Sequence, residues 1–121
     1  MAGAQIVAGI DCWQVASECY RANFPESLAI NADIRNVTPR ELHRLIGDID
    51  LILASPECTN HSCAKGSGDR CEESRLTAFE VIKFAREFNP LWIVIENVVQ
   101  MRTWSRHLDL LTELGKLGYH I

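Results

Sequence analysis

The chain has 121 residues, of which 47% are hydrophobic and 23% charged, and its formal net charge is −4. This is ordinary globular composition, and the length leaves room for one domain with a modest core. The acidic balance argues against an autonomous nucleic-acid-binding protein, because such proteins usually carry a basic surface.

Membrane and secretion signals are not evident in the sequence. No apolar run approaches the roughly 18 to 20 residues that span a bilayer, and no charged region followed by an apolar stretch opens the chain. Its cysteines, odd in number, are Cys12, Cys19, Cys58, Cys63 and Cys71. A reduced, cytoplasmic setting without a membrane partner is therefore expected. In that setting a clustered cysteine is catalytic, metal-binding or buried.

The first half of the chain alternates short apolar runs with helix-like segments. The apolar runs predict strands over Gln5 to Ile10 and Leu28 to Ala32, and helical spacing predicts a helix over Cys12 to Ala22. Thr38-Pro39-Arg40-Glu41 combines a capping box with proline at the first helical position. A helix is therefore predicted from that point to about Gly47.

The second half begins with Leu51 to Ala54, a bare apolar run of the kind expected for a strand buried on both faces of a parallel sheet. The segment from Ser55 to Cys71 is rich in Ser, Cys, Gly and polar residues, which predicts a long functional loop. The remaining predicted elements are a helix over Glu73 to Phe88, a strand over Leu91 to Ile95, a helix over His107 to Leu117 and the start of a strand over Tyr119 to Ile121.

Alternating strands and helices predict a parallel α/β sheet, in which ligands bind just beyond the carboxyl ends of the strands. Asp11, Ser55 to Cys58, and Glu96-Asn97 all follow predicted strands. A nucleophile candidate and an acid candidate therefore share one sheet edge. From spacing alone, a buried structural cysteine and a Glu-Asn pair that caps a turn remain open alternatives.

Several short motifs follow one another along the chain. They are Ala16, Tyr20, Asn23 and Phe24 in the pattern A-x-x-x-Y-x-x-N-F, then Asp33-Ile34, Ser55-Pro56-Glu57-Cys58, Glu73-Ser74-Arg75 and Glu96-Asn97-Val98. In this order and spacing they resemble the DNA cytosine-5 methyltransferase family over about residues 5 to 121. The resemblance implies a Rossmann-like parallel sheet of the S-adenosylmethionine-dependent methyltransferase type, incomplete here, so that residues 1–121 form a partial catalytic domain.

The resemblance also implies catalytic roles. Cys58 would attack carbon 6 of a flipped-out cytosine, and Glu96 would contact ring nitrogen 3 and offset charge during the attack. Carbon 5 would then take a methyl group from S-adenosylmethionine. Asn97 belongs to the same catalytic motif, and Arg75 would order the catalytic loop or hold a phosphate.

A cofactor site is implied in the same way, without a metal ion. The residues implied to bind S-adenosylmethionine are Asp11, Cys12, Trp13, Asp33, Ile34 and Ser55. Asp11 would accept hydrogen bonds from the cofactor ribose, as acidic residues do in dinucleotide folds. The implied partner is double-stranded DNA with a flipped cytosine, although RNA stays open because related enzymes methylate transfer RNA.

The chain also departs from the family. Glu57 stands where the family has a second proline, and Thr59 where it has glutamine. A carboxylate directed at Cys58 would disfavour its thiolate, so Glu57 is expected to point away. The family's Phe-x-Gly-x-Gly loop and its target-recognition half have no counterpart. The chain is therefore expected to be a fragment that is inactive alone, and that either pairs its first and third strands or self-associates through the incomplete sheet.

Two alternatives to catalysis remain open. Cys58, His61, Cys63 and Cys71 form the pattern C-x2-H-x-C-x7-C, whose four soft ligands could bind zinc. Alternatively, the chain is a non-catalytic α/β interaction fragment, which its net charge and missing motifs would favour.

Overall fold

A computed structural model of the chain describes residues 3–61 and 71–121. These residues fold into two compact units, Met1–Gly47 and Asp48–Ile121. The strands and α-helices in chain order are β1 (Ala8–Asp11), α1 (Gln14–Asn23), β2 (Leu28–Asn31), α2 (Pro39–Ile46), β3 (Leu51–Ala54), α3 (Glu72–Arg75), α4 (Glu80–Phe88), β4 (Trp92–Ile95) and α5 (His107–Lys116). Among the described residues, none of the helices is long and apolar enough to cross a membrane.

The first unit is a β–α–β arrangement. β1 and β2 pair in parallel, with a register that runs from Ala8 opposite Leu28 to Asp11 opposite Asn31. The ring of Tyr20 in α1 lies so close to Gly9 that a Cβ atom added there would be 2.5 Å from Cζ of Tyr20. Glycine in β1 therefore lets α1 pack tightly against the strand.

Helix α2 begins where the sequence predicts, but without the predicted capping box. The side chain of Thr38 makes no capping hydrogen bond, and its carbonyl instead accepts the amides of Glu41 and Leu42, each at 3.1 Å. Pro39 occupies the first turn, where its fixed φ suits a helix start. The helix ends at Gly47, whose φ of 75° lies in the left-handed region that glycine adopts at low cost.

The second unit contains the other parallel pair. β3 and β4 are in register from Leu51 opposite Trp92 to Ala54 opposite Ile95. The predicted single helix over Glu73 to Phe88 is instead interrupted by a 3₁₀ segment at Leu76–Phe79. The hydroxyl of Thr77 donates to the carbonyl of Ser74 at 2.7 Å, and such local bonds compete with the regular helical ladder.

A hydrophobic core lies within the second unit, between β4 and the helical segments. Its buried members are Ala78, Ile82, Met101, Trp104, Leu110 and Leu114. Ile93 and Ile95 of β4 pack against this cluster. One face of the β3–β4 pair therefore meets a core, as the alternation of side chains along a strand requires.

Three expectations about the sheet are wrong for the described residues. The first and third strands do not pair directly, since β1 pairs with β2 and β3 pairs with β4 in two two-stranded sheets. The β3–β4 pair is not buried on both faces, since Leu53 and Trp92 remain 72% and 70% exposed. Residues 119–121 form no strand. In each case the sequence shows that the residues are apolar. It does not show whether a second layer covers them or a neighbouring strand pairs with them. The α/β class with parallel strand pairs is confirmed.

Candidate active site

The two motifs of the second unit meet at one sheet edge. Because Ala54 and Ile95 are opposite each other in the register, both strands end at the same level. The amide of Glu96 continues the ladder by donating to the carbonyl of Ala54 at 2.9 Å. The segments that follow β3 and β4 therefore emerge side by side, as the sequence predicted.

Asn97 links these two segments through its side chain. Its Nδ2 donates to the carbonyl of Pro56 at 2.9 Å, and its Oδ1 accepts the amide of Val98 at the same distance. One amide side chain therefore fixes the turn after β4 and the backbone two residues before Cys58. This contact links Asn97 to the loop that contains Cys58, residues 55–61, which we call the cysteine loop. The position of Asn97 in the sequence alone did not indicate this link.

Cys58 and Glu96 are both exposed. Cys58 is a free thiol, and its carbonyl accepts the amide of His61 at 2.9 Å, which closes a turn over residues 58–61. A free thiol that is accessible in the folded loop can act on a bound substrate without prior unfolding of that loop.

Arg75 contacts the cysteine loop at its far end. Its Nε donates to the carbonyl of Asn60 at 3.1 Å, and its guanidinium also meets the carboxylate of Glu72 at 3.3 Å. Of the two roles expected for Arg75, ordering the catalytic loop has this contact in its favour. That Arg75 holds a phosphate stays a prediction.

Of the four residues that could bind zinc, Cys63 lies outside the residues that the structure describes, in the segment 62–70. His61 is 1% exposed, and its ring meets that of Trp104 edge-on with centroids 5.1 Å apart. Within residues 3–61 and 71–121, no three His, Cys, Asp or Glu side chains are grouped to hold a metal ion.

In the first unit, Asp11 ends β1 and turns the chain into α1. Its Oδ1 accepts the amide of Trp13 at 2.7 Å, and its carbonyl accepts Nδ2 of Asn31 at 3.0 Å and the hydroxyl of Ser17 at 3.2 Å. The carboxylate is exposed, as are Cys12 and Trp13 beside it. A carboxylate and an aromatic ring are thus presented together beyond the carboxyl end of β1.

Asp33 and Ile34 follow β2 at the same end of the pair. Both carboxylate oxygens of Asp33 meet the side chain of Arg35, with contacts from 2.6 to 3.1 Å. These hydrogen bonds, with the one from the Arg35 amide, lower the pKa of Asp33 to about 2. Both carboxylate oxygens of Asp33 are therefore hydrogen-bonded to Arg35. The neighbouring Ile34 is half-buried and presents an apolar side chain. Ser55, also predicted for the cofactor, is exposed at the end of β3 in the other unit.

Sequence reasoning missed three residues that shape these regions. Asn31 links the ends of β1 and β2, Asn60 accepts and donates within the cysteine loop, and Trp104 supports that loop from the core. A polar residue in the last position of a strand, as at Asn31, is a usable signal. Asn60 bonds Cys71 across 11 positions and Trp104 bonds Glu72 across 32, and local patterns do not show contacts of this kind.

Comparison with known proteins identifies the family. The model of the C-5 cytosine-specific DNA methylase family matches residues 1–121. The chain belongs to this family. Type II methyltransferase M.DdeI of Desulfomicrobium norvegicum is 30% identical over 129 residues, which cover all of this chain and 30% of that protein. The human tRNA (cytosine(38)-C(5))-methyltransferase is 32% identical over 118 residues, covering 96% of this chain and 30% of the relative.

Solved structures agree with this assignment at the level of fold. Spodoptera frugiperda DNMT2 superposes with a TM-score of 0.69 at 24% identity, covering 95% of this chain and 34% of that one. An E. coli prophage protein described as a DNA modification methyltransferase gives a TM-score of 0.75 at 19% identity, with coverages of 96% and 32%. The chain spans about a third of the length of these proteins, and its parallel strand pairs are consistent with an incomplete Rossmann-like fold.

Proposed function

We propose that this C-5 cytosine methylase chain carries the catalytic centre of a DNA (cytosine-5-)-methyltransferase, which acts on a flipped-out cytosine through a covalent adduct with Cys58. The observation that carries this proposal is the meeting of the Cys58 loop and the Glu96-Asn97 turn at one edge of the β3–β4 pair, joined by the bond from Asn97 to Pro56. The chain covers 30% of the length of relatives such as M.DdeI. That it takes part in the activity of a whole enzyme is therefore proposed as well.

The chemistry assigned to Cys58 is nucleophilic. Its thiolate forms a bond to carbon 6 of cytosine, and the electron pair of the C5–C6 double bond moves to carbon 5. S-adenosylmethionine supplies the methyl group that carbon 5 takes. Loss of the proton from carbon 5, together with cleavage of the S–C6 bond, restores the double bond and the thiolate. Exposure of the free Cys58 beyond the end of β3 suits this cycle, because its sulfur must be accessible to the base when the bond forms and when it breaks.

Glu96 has the complementary role at ring nitrogen 3. A carboxyl group in contact with that nitrogen offsets the charge that develops in the ring while the S–C6 bond forms. Its exposed position beside the Cys58 loop supports this role. The base must leave the helical stack to reach both groups, because a stacked base hides its faces from side chains.

The residues at the ends of β1 and β2 fit the adenosine part of S-adenosylmethionine. Asp11 would bind the ribose hydroxyls, and the exposed ring of Trp13, with Cys12, would lie along the adenine. Ile34 would add apolar contact. Asp33 fits less well, because Arg35 occupies both oxygens of its carboxylate. Ser55, at the end of β3, remains a further candidate for contact with the cofactor.

A second candidate substrate is transfer RNA. It is favoured by the 32% identity to the human tRNA (cytosine(38)-C(5))-methyltransferase, which is similar to the 30% identity to M.DdeI. The residues around Cys58 and Glu96 handle a single extruded cytosine, and that base presents the same atoms in either nucleic acid. The experiment must therefore include both substrates.

The test is covalent trapping on a cytosine that carries fluorine at carbon 5. Fluorine cannot leave as a proton does, so the S–C6 bond persists once the methyl group has been added. The chain would be assayed alone and joined to the remaining segments of M.DdeI, with duplex DNA and with transfer RNA. We expect a methylation-dependent adduct at Cys58 on DNA in the joined protein.

Control variants make this experiment decisive. Cys58→Ser should abolish both the adduct and methyl transfer, whereas Cys19→Ser, at an exposed cysteine of the first unit, should leave both unchanged. Normal turnover by Cys58→Ser would refute the nucleophile assignment. An adduct on transfer RNA alone would move the proposal to that substrate. One zinc ion per chain in elemental analysis would favour the zinc-binding loop instead.

A further inference from the structure

Glu57, the residue that stands where the family has proline, caps the turn that contains Cys58. Its Oε1 accepts the amide of Asn60 at 2.9 Å, while the carbonyl of Cys58 accepts the amide of His61 at the same distance. A carboxylate that accepts a backbone amide three residues later is the arrangement that starts a helical turn. Two hydrogen bonds therefore fix the turn that follows the nucleophile candidate.

The carboxylate of Glu57 is suited to this contact because it is ionised at neutral pH. Burial raises the pKa of Glu57, but hydrogen bonding, led by the Asn60 amide, outweighs it, so the pKa is lowered overall. An ionised acceptor makes stronger hydrogen bonds to amides than a neutral one. This engagement supports the expectation that the carboxylate is directed away from the Cys58 thiol.

Asn60 extends the turn to the other end of the loop. It is 8% exposed, its Oδ1 accepts the amide of Cys71 at 2.9 Å, and its carbonyl accepts Nε of Arg75 at 3.1 Å. Asn60, whose amide donates to Glu57, is therefore also hydrogen-bonded to the segment leading into α3. Residues on both sides of the segment 62–70 are joined through this single asparagine.

The residues on both sides of the segment 62–70 also contact Trp104, which belongs to the core. The ring of His61 meets the indole edge-on, and Nε1 of Trp104 donates to the carboxylate of Glu72 at 2.9 and 3.2 Å to its two oxygens. Trp104 is itself buried in the cluster beneath β4. The turn at residues 57–61 is therefore supported by packed structure.

We propose that Glu57 and Asn60 are positioning residues for Cys58, and that they act as one coupled unit. Asn97 fixes the backbone before Cys58 through Pro56, and the Glu57–Asn60 turn fixes the backbone after it. The inference rests on the proposed function, since it matters for catalysis only if Cys58 is the nucleophile. The hydrogen-bonded carboxylate takes over the conformational restriction that proline provides in the family motif.

The first measurement is amide hydrogen exchange in the chain alone. Glu57→Ala removes the acceptor of the Asn60 amide only, so an uncoupled contact would accelerate exchange at that amide and no other. A coupled unit accelerates exchange at Asn60, His61 and Cys71 together, by about five- to tenfold for a bond of ordinary strength. Glu57→Gln keeps an acceptor oxygen and should restore protection at all three amides. Acceleration confined to Asn60 would overturn the coupling.

The second measurement is adduct formation in the protein joined to the M.DdeI segments. Glu57→Ala should slow trapping and kcat by about tenfold to a hundredfold, as small misplacements of a nucleophile do, with KM for DNA within about twofold. Glu57→Gln should stay close to the unmodified protein. Glu26→Ala, which removes an exposed carboxylate of the first unit, is the control for loss of charge. Melting temperatures of all variants would show that each remains folded.

The outcomes separate the two proposals. Trapping as fast in Glu57→Ala as in the unmodified protein overturns the inference and leaves the proposed function standing. If Glu57→Ala shows the coupled exchange pattern but the unmodified joined protein forms no adduct on DNA or RNA, the proposed function is overturned, and the inference with it. Slow trapping in Glu57→Ala that Glu57→Gln restores supports both.

Discussion

Asn97 and Pro56 are 41 positions apart in the chain and are joined by one hydrogen bond of 2.9 Å, from the Asn97 side chain to the Pro56 carbonyl. Each residue belongs to a different motif, one after β4 and one after β3. A family motif that looks like a pair of adjacent catalytic residues, Glu96-Asn97, therefore contains one candidate for chemistry and one residue that joins the two loops.

Replacing Asn97 tests this division of roles. Asn97→Ala leaves the Pro56 carbonyl without its donor and should reduce the free energy of unfolding by about 1 kcal/mol. Urea unfolding followed by tryptophan fluorescence would measure the loss. Asn36→Ala, at an exposed position that ends the short 3₁₀ helix Ile34–Asn36, should change it by less than about 0.5 kcal/mol. Equal effects of the two substitutions would contradict a linking role for Asn97.

The close approach of Gly9 and Tyr20 gives a second prediction. Gly9→Ala would bring a methyl group within 2.5 to 2.9 Å of three ring atoms of Tyr20, so we expect a loss of about 1 to 3 kcal/mol from overpacking. Gly115→Ala is the matched control, because a Cβ atom there meets nothing within 4 Å and alanine is the better helix former. That change should stabilise the chain by about 0.5 to 1 kcal/mol. Thermal or urea unfolding of both variants would show opposite signs.

The contact between Trp104 and Glu72 predicts a non-additive pair of substitutions. Trp104→Phe removes the indole N–H that bonds the carboxylate and should cost about 1.5 to 3 kcal/mol, more if the smaller ring leaves a void. Once the indole donor is gone, Glu72→Gln should cost less than it does alone. Trp92→Phe, at an exposed tryptophan, should be nearly neutral. Additive costs in the double-mutant cycle would show that the two side chains are not coupled.

The Asp33–Arg35 pair predicts a titration. The pKa of Asp33 is lowered from 3.8 to about 2 by hydrogen bonds from Arg35, so Arg35→Ala should raise it towards 3.8. Because the folded-state pKa is depressed, the contribution of the pair is present above pH 3.8 and disappears as pH falls through about 2. NMR titration of the carboxyl carbon would follow both proteins. Arg21→Ala, in the last turn of α1, should leave the Asp33 titration in place.

The sequence predicted the alternation of elements and the meeting of the two site motifs well, for identifiable reasons. Leu51 to Ala54 is uniformly apolar, and the strand has those bounds. Because parallel strands end at one edge, the position of Glu96 beside the Cys58 loop followed from strand order alone. The helix starting at Pro39 was equally clear, since the fixed φ and missing N–H of proline suit the first turn of a helix and disrupt its interior.

What the sequence could not predict depends on partners distant in the chain. The apolar side chains of Leu53 and Trp92 suggested burial, but exposure depends on whether another layer is present. The 3₁₀ segment at Leu76–Phe79 is a local exception, since the hydroxyl of Thr77 bonds the carbonyl of Ser74 only three positions earlier. The role of Asn60 depends on the backbone amide of Cys71 and the side-chain Nε of Arg75, which have no shared signature in the sequence.

The position of Trp104 makes it a natural optical probe of the cysteine loop. Of the three tryptophans, Trp13 and Trp92 are 65% and 70% exposed, whereas Trp104 is 5% exposed and touches a residue on each side of the segment 62–70. Its emission should therefore lie at shorter wavelength and resist quenching by iodide. Any ligand that rearranges the loop around Cys58 would change that protected signal, so binding could be followed without a label.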